Sequence, residues 1–184
     1  MAADRREQIL AVSARLFAER GFHGVSVHDI GAACGISGPA LYRHFAGKDD
    51  LLAQSLTAIS ERHVAEANHR VQANSNPTEA LDSLIKWHID FAVTHPELIV
   101  IQDREWSNLT EGAQRRVREL QLTYIDSWVS VLRQLRRDID AAEARAAIQA
   151  MFGLLNSTPH SARISEERMR QLLTRMARSA LLSS

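Results

Sequence analysis

Apolar residues return every three or four positions along most of this chain, and that rhythm predicts helices. Ile9, Leu10, Leu16 and Phe17, with Ser13 among them, mark a first helix over about 4–20, ended by Gly21. A second helix opens at Ser26 and Val27, covers Ile30, Ala33 and Cys34, and is broken by Gly35. A third follows Ser37 and carries Leu41, Tyr42 and Phe45, with Gly47 as the next break. A long helix then runs over about 48–74, and Pro77 starts another that reaches His95-Pro96. Further helices fall at about 96–106, 110–137 and 141–156, the last capped by Asp140; Pro159 breaks or kinks the chain there. Ser165 with Glu166-Glu167 opens the final helix, which ends near Leu182, the acidic pair suiting its dipole. No segment alternates as a half-buried strand does. The expectation is an all-α fold of about nine helices.

Glycine divides this pattern. Six of the eight glycines lie between Gly21 and Gly47, so the front quarter is built of short elements and the remainder of long ones. The predicted domains are 1–47, a helix-turn-helix reader, and 48–184, opened by the long connecting helix.

The segment from Ser26 to Lys48 has the parts a helix-turn-helix needs. Gly31 with Ala32-Ala33 keeps the first helix thin, and Gly35 can take the positive φ of the turn. Ile30, Cys34, Ile36, Leu41 and Phe45 form the small shared core, in which the lone Cys34 is a packing residue. Ser37 stands at the N-cap of the second helix and Pro39 in its first turn. Left outside are Ser37, Tyr42, Arg43 and His44, with Ser26, Val27 and His28 at the preceding helix start. Lys48 stands in the first turn of the next helix, where peptide N–H groups already attract phosphate. Gly38, Pro39 and Ala40 present a small apolar surface that lets backbone approach base edges or thymine methyls.

Charge narrows the reading. The 22 basic and 22 acidic residues cancel, so no global field draws the chain to nucleic acid and DNA contact must be local. One cysteine excludes a disulfide framework and a cysteine zinc site. No apolar run approaches a membrane span, and the N-terminus lacks the apolar core of a secretory signal, so a cytoplasmic location is expected. No nucleophile–base set, phosphate loop or HExxH-type motif appears. The expectation is a protein that is not an enzyme, with no cofactor and no metal; His63 and His69 are expected to face water.

Five stretches in order and spacing resemble the TetR family of bacterial one-component repressors. They are Glu19-Arg20-Gly21-Phe22, Ser26-Val27-His28-Asp29-Ile30, Gly35-Ile36-Ser37, Leu41-Tyr42-Arg43-His44-Phe45 and Lys48-Asp49-Asp50-Leu51-Leu52. The resemblance implies phosphate contacts for Tyr42, His44 and Lys48, and base-facing positions for Ser37 to Ala40 with Arg43. One departure is Gly38-Pro39-Ala40, where many members have a small-polar pair before Leu-Tyr. The resemblance also implies that the C-terminal domain binds a small effector and forms a homodimer.

In that domain Leu81, Leu84, Ile85, His88, Phe91 and Ala92 share one helical face with Trp87 beside them, and Val117, Leu120, Tyr124, Trp128, Val131 and Leu135 share another. Core packing with satisfied polar tips explains each aromatic singly; the family context favours a pocket for the group. Its candidates are Trp87, His88, Phe91, Gln102, Arg104, Trp106, Tyr124 and Trp128. Arg104 suits a ligand carboxylate or phosphate, with Asp103 and Glu105 as rival partners. The words around 96–108 and 152–160 resemble an actinobacterial subgroup, and a fatty acyl or acyl-CoA effector is the guess that goes with it.

The last two long helices are expected to form the dimer. Ala142, Ala146, Ala147, Ala150 and Gly153 permit close approach, and Met169, Leu172, Leu173, Met176, Ala180 and Leu181 form an apolar stripe. Asn156 to His160 is a polar interruption that serves either this interface or the pocket. The functional expectation is a repressor released from a palindromic double-stranded DNA operator by a partly apolar effector. An activator of the same fold and a helical small-molecule-processing enzyme are the alternatives.

Overall fold

The computed structural model describes residues 2–161 and 163–183, with side chains from Arg5 onward. Met1 and Ser184, the outer ends of the two expected domains, and Ala162 lie outside the described residues. Ten α-helices follow one another, with no strand among the described residues: α1 (Ala2–Arg20), α2 (Val27–Ala33), α3 (Gly38–Leu41), α4 (Lys48–Ala73), α5 (Pro77–Thr94), α6 (Pro96–Arg104), α7 (Glu111–Leu135), α8 (Ala141–Leu155), α9 (Thr158–Ser161) and α10 (Glu166–Leu182). A 3₁₀ turn spans Trp106–Asn108. The fold is all-α, as the periodicity predicts.

The chain packs as two compact units. The first joins residues up to Ile59 with Glu97–Arg118, and the second joins Ser60–Pro96 with residues from Glu119 onward. In the first, Ile9, Leu16, Phe17, Phe22, Ile30, Leu41, Phe45 and Leu51 make one core with Ile101, Leu109 and Val117. Gly21 ends α1 at φ +74°, and Gly35 makes the α2–α3 turn at φ +66°. Each is a left-handed position that a side chain would strain. At Gly31 the need is space: a Cβ there would stand 3.0 Å from the Ile36 carbonyl oxygen.

The second unit is built on α5, α8 and α10. Ala80, Leu81, Leu84, Ile85, His88, Ile89, Phe91 and Ala92 form the buried face of α5. Against them lie Ile148, Met151 and Leu155 of α8 and Met169, Leu173, Ala177 and Leu181 of α10. Arg170 reaches Asp90 at 3.0 Å, and Arg178 pairs with Asp82, so two ion pairs tie α10 to α5.

Three expectations change. The third helix is a single turn that ends at Leu41, with Tyr42–His44 following as turn. Ser37 occupies the N-cap position but makes no side-chain cap bond, so little holds that turn beyond Leu41 in the core. Pro159 lies inside the short α9, which Thr158 anchors through a 2.7 Å hydrogen bond to the Ala92 carbonyl. Half of the apolar stripe on α10 is internal: Met169, Leu173 and Leu181 are buried within this chain, Leu172 is half-buried, and Met176 and Ala180 stay exposed. A 3.6-residue rhythm marks a buried face without saying which chain covers it.

Candidate nucleic-acid interface and effector site

The reader starts with a capping box. Ser26 accepts from the Asp29 amide at 3.1 Å, while the Asp29 carboxylate takes the Ser26 amide at 2.8 Å and the Ser26 hydroxyl as well. These bonds hold the Asp29 carboxyl below its ordinary pKa, the Ser26 hydroxyl being the largest cause. The Ser26 side chain is therefore used to start α2. Val27 is half-buried behind it and His28 is exposed.

Beyond the turn the expected outward set is exposed only in part. Ser37, Pro39 and Arg43 are exposed, Gly38, Ala40 and His44 half-buried, and Tyr42 is 57% exposed, a large aromatic side chain left in solvent. Its neighbours Leu41 and Phe45 are buried. One turn thus offers a phenol, a guanidinium and an imidazole to solvent on an apolar footing.

Lys48 is half-buried and engaged with its own chain. Its ammonium donates to the Phe22 carbonyl at 2.7 Å and the Val25 carbonyl at 3.0 Å, and lies 4.3 Å from the centre of the Phe22 ring. Two of its three donors are thus committed, and the residue holds the α1–α2 loop whatever else it meets.

The candidate effector residues fall into two groups. Gln102, Arg104 and Trp106 belong to the first unit. Arg104 is exposed, and the Arg118 guanidinium lies 5.6 Å from the Trp106 ring. Glu105 is buried and bonded to Phe22 and Asn108.

Trp87, His88, Phe91, Tyr124 and Trp128 belong to the second unit and come together there, joined by His63 and Phe152. His88 stacks on Phe152 with ring centres 4.6 Å apart, and Tyr124 stacks on Phe152 at 5.4 Å. Trp128 stands edge-on to Phe152 at 5.1 Å, and Phe91 edge-on to His63 at 4.5 Å. His63 was expected to face water. It instead stacks on Tyr124 at 4.9 Å and accepts from the Trp87 indole N–H at 3.2 Å. On helix α4 it follows Glu61 and Arg62 and precedes Val64, and so few large apolar residues surround it that periodicity gives no clear sign of this. Trp87 is also flanked by the Arg62 and Arg70 guanidinium groups, at 5.1 and 4.7 Å from its ring centre.

A short polar chain threads these rings. His88 Nδ1 lies 3.2 Å from the Tyr124 hydroxyl, and its Nε2 lies 3.0 Å from the Asn156 carbonyl oxygen. With Asn156 accepting, Nε2 carries the proton and the Tyr124 hydroxyl donates to Nδ1. The Asn156 amide thus serves this cluster. Burial holds His88 down at a pKa of about 4, Asn156 opposing. Burial first, then His88 and Arg62, hold His63 well below the ordinary value. Burial also pushes the Tyr124 phenol upward, with Trp128 and Arg70 working the other way. The Trp128 indole N–H is buried without a hydrogen-bond partner of good geometry. Separately, a groove of about 600 Å³ between α5 and α10 is lined by charged residues that include Lys86, Asp90, Arg170 and Arg175. Among the described residues no group of three or more His, Cys, Asp or Glu side chains could hold a metal ion, and no helix is long and apolar enough to cross a membrane.

Both parts of the chain have known relatives. Residues 9–54 match the model for bacterial regulatory proteins of the tetR family, and residues 74–160 match the tetracyclin repressor-like C-terminal domain. The HTH-type transcriptional repressor KstR2 of Mycobacterium tuberculosis is 30% identical over 138 residues, 71% of this chain and 66% of that protein, just under two thirds of its length. A TetR-family transcriptional regulator from Bordetella parapertussis superimposes with a TM-score of 0.84 at 23% identity, over 96% of this chain and 93% of that one. The transcriptional regulator FadR from Bacillus subtilis, solved in complex with stearoyl-CoA, gives a TM-score of 0.76 at 15% identity, over 95% and 97%. The chain belongs to the TetR family, a family of regulators rather than enzymes, as its opening motifs implied.

Proposed function

We propose that this chain is a dimeric transcriptional repressor that binds a palindromic operator in double-stranded DNA and leaves it when an acyl-type effector binds. The observation that carries the reading is the α3 turn: Tyr42 and Arg43 stand exposed on buried Leu41 and Phe45. Exposing a phenol and a guanidinium together just past a one-turn helix has little use in a packing module, and both are phosphate and base-edge donors. Tyr42, His44 and the remaining donor of Lys48 meet phosphate in this reading. Ser37 to Ala40 with Arg43 face bases, and Ser26 and Val27 support the entry to α2. A location in the cytoplasm, with the operator, follows.

The effector site in this reading is the ring cluster around His88, Phe91, Tyr124 and Trp128, with Trp87 at its edge. A ligand that is largely apolar but carries one acceptor matches that lining, since the buried Trp128 N–H has no hydrogen bond of good geometry. The acyl chain of an acyl-CoA with its thioester carbonyl has that character, and the similar FadR fold was solved with stearoyl-CoA. The rings pack closely, so an effector must part them. α4 is one continuous helix from Lys48 to beyond His63, and carries that displacement toward the reader. The dimer uses the exposed small residues Ala142, Ala146, Ala150 and Gly153 of α8, with Met176 and Ala180 of α10.

The test is a mobility-shift assay with fragments from upstream of the chain's own gene and its neighbours, with and without acyl-CoA of graded length. One fragment is expected to be retarded and then released by acyl-CoA. Failure to retard any such fragment contradicts the DNA-binding reading; retention at saturating acyl-CoA contradicts the effector class.

A further inference from the structure

The loop between α1 and α2 is held at one residue, Phe22, from both sides. The Phe22 N–H donates to Glu105 Oε1 at 3.2 Å, and the Phe22 carbonyl accepts from Lys48 Nζ at 2.7 Å. Glu105 comes from 83 residues away and Lys48 from 26, so neither bond is a by-product of local helix geometry. Glu105 is only 7% exposed. Its second oxygen takes the Asn108 side-chain amide at 2.7 Å, and its own backbone continues the last turn of α6 through a 2.9 Å bond to Ile101. Both carboxylate oxygens are thus engaged by neutral N–H donors in a buried setting, where a bond to a charged acceptor is strong and its loss strands a polar group.

Placement gives this bond its meaning. Phe22 follows Gly21, whose positive φ turns the chain out of α1, and precedes by four residues Ser26, which starts α2 through its capping box. The loop from Phe22 to Val25 contributes two buried side chains and two carbonyls held by one ammonium. Glu105 is the clamp's contribution from beyond the helix-turn-helix.

We propose that Glu105 is a positioning residue of the DNA reader: by holding the Phe22 peptide opposite Lys48, it sets where α2 begins, and through α2 where the α3 turn lies. This rests on the DNA-binding reading above. Because Glu105 lies between Arg104 and Trp106, whatever shifts the Gln102–Trp106 segment shifts the reader by the same link. The direction of the effect separates this role from bulk charge. Removing a carboxylate from a DNA-binding unit strengthens attraction to phosphate if only charge counts; removing the clamp weakens binding.

The experiment enriches random double-stranded oligonucleotides against the wild-type full chain. The enriched duplex is then titrated with wild type, Glu105→Leu, Glu105→Gln and Asn108→Ala. Active fraction comes from stoichiometric titration, and amide exchange is followed at Phe22. Glu105→Leu is expected to bind about tenfold more weakly at unchanged active fraction, with Phe22 exchanging about tenfold faster. The slope of log affinity against log salt stays the same, because no phosphate contact is lost. Glu105→Gln, which keeps an oxygen for the Phe22 N–H, is expected within about threefold of wild type. If Glu105→Leu does not fold, Asn108→Ala carries the test, with weakening of about threefold and faster Phe22 exchange. Folded Glu105→Leu that binds as well as wild type or better, or Phe22 exchange unchanged in the variants, overturns the proposal. A wild-type chain that enriches no duplex overturns the DNA-binding reading itself, and the proposal with it.

Discussion

Single side chains in this protein are best understood by what already occupies their polar atoms. Tyr42 has its hydroxyl in solvent, so Tyr42→Phe should cost one phosphate hydrogen bond, roughly 1 kcal/mol, and weaken all duplex sequences about equally. A changed base preference in binding-site selection would contradict that assignment. Lys48 is different, because two of its donors hold Phe22 and Val25. Lys48→Ala should lower the stability of the folded reader by about 1–3 kcal/mol, read as a lower thermal midpoint without any DNA present; an unchanged midpoint would leave only the phosphate role. The sequence placed Lys48 correctly at a helix start but could not show its inward turn, since a flexible four-carbon stem reaches either way. His88 supplies a pH prediction. Its folded pKa is near 4 against an ordinary 6.5, so the unfolded chain takes up the proton first as pH falls. Stability from this group is full above about pH 6.5 and declines by roughly 3 kcal/mol as pH approaches 4, with His63 acting in the same direction. Urea titrations at pH 7 and 5 should show the decline, and His88→Leu should flatten it.

Among elements, those that carry a long periodic face were legible and those held by a few contacts were not. The buried face of α5 reads directly from Leu81, Leu84, Ile85, His88 and Phe91, and the cap positions Ser26, Asp140 and Ser165 read from residue type. α3 proved shorter than predicted because a single turn carries no period. The aromatic cluster was half visible: Tyr124 and Trp128 follow helical spacing on α7, whereas His63, Phe152 and Asn156 join it from other helices by tertiary packing. From the sequence Glu105 reads only as a rival partner for Arg104, because its acceptor role depends on a residue 83 positions away. The α2–α3 turn gives a sharp test of close approach. Gly31→Ala brings a methyl to 3.0 Å from the Ile36 carbonyl, a backbone atom, and Gly35→Ala forces a side chain to φ +66°. Each should destabilise by about 1 kcal/mol or more, measured by thermal melting; unchanged melting of both would contradict the tight turn.

For the molecule as a whole, function in this account needs two readers held at a fixed separation. Paired recognition elements reach successive major grooves only when about 34–36 Å apart. The surface left for pairing is the small-residue face of α8 with Met176 and Ala180 of α10, since Met169, Leu173 and Leu181 are spent inside the chain. Ala150→Glu should therefore yield a monomer in light scattering and lose operator affinity steeply; a dimer unaffected by that charge would place the interface elsewhere. The neutral net charge means affinity must come from placed contacts in both protomers, not from a general field. The most direct measurement is a hydroxyl-radical footprint of the wild-type chain on its enriched duplex. The account predicts two protected patches related by a two-fold axis and centred one helical turn, or a whole multiple of it, apart. A single unsymmetrical patch, or uniform protection without a centre, would contradict it.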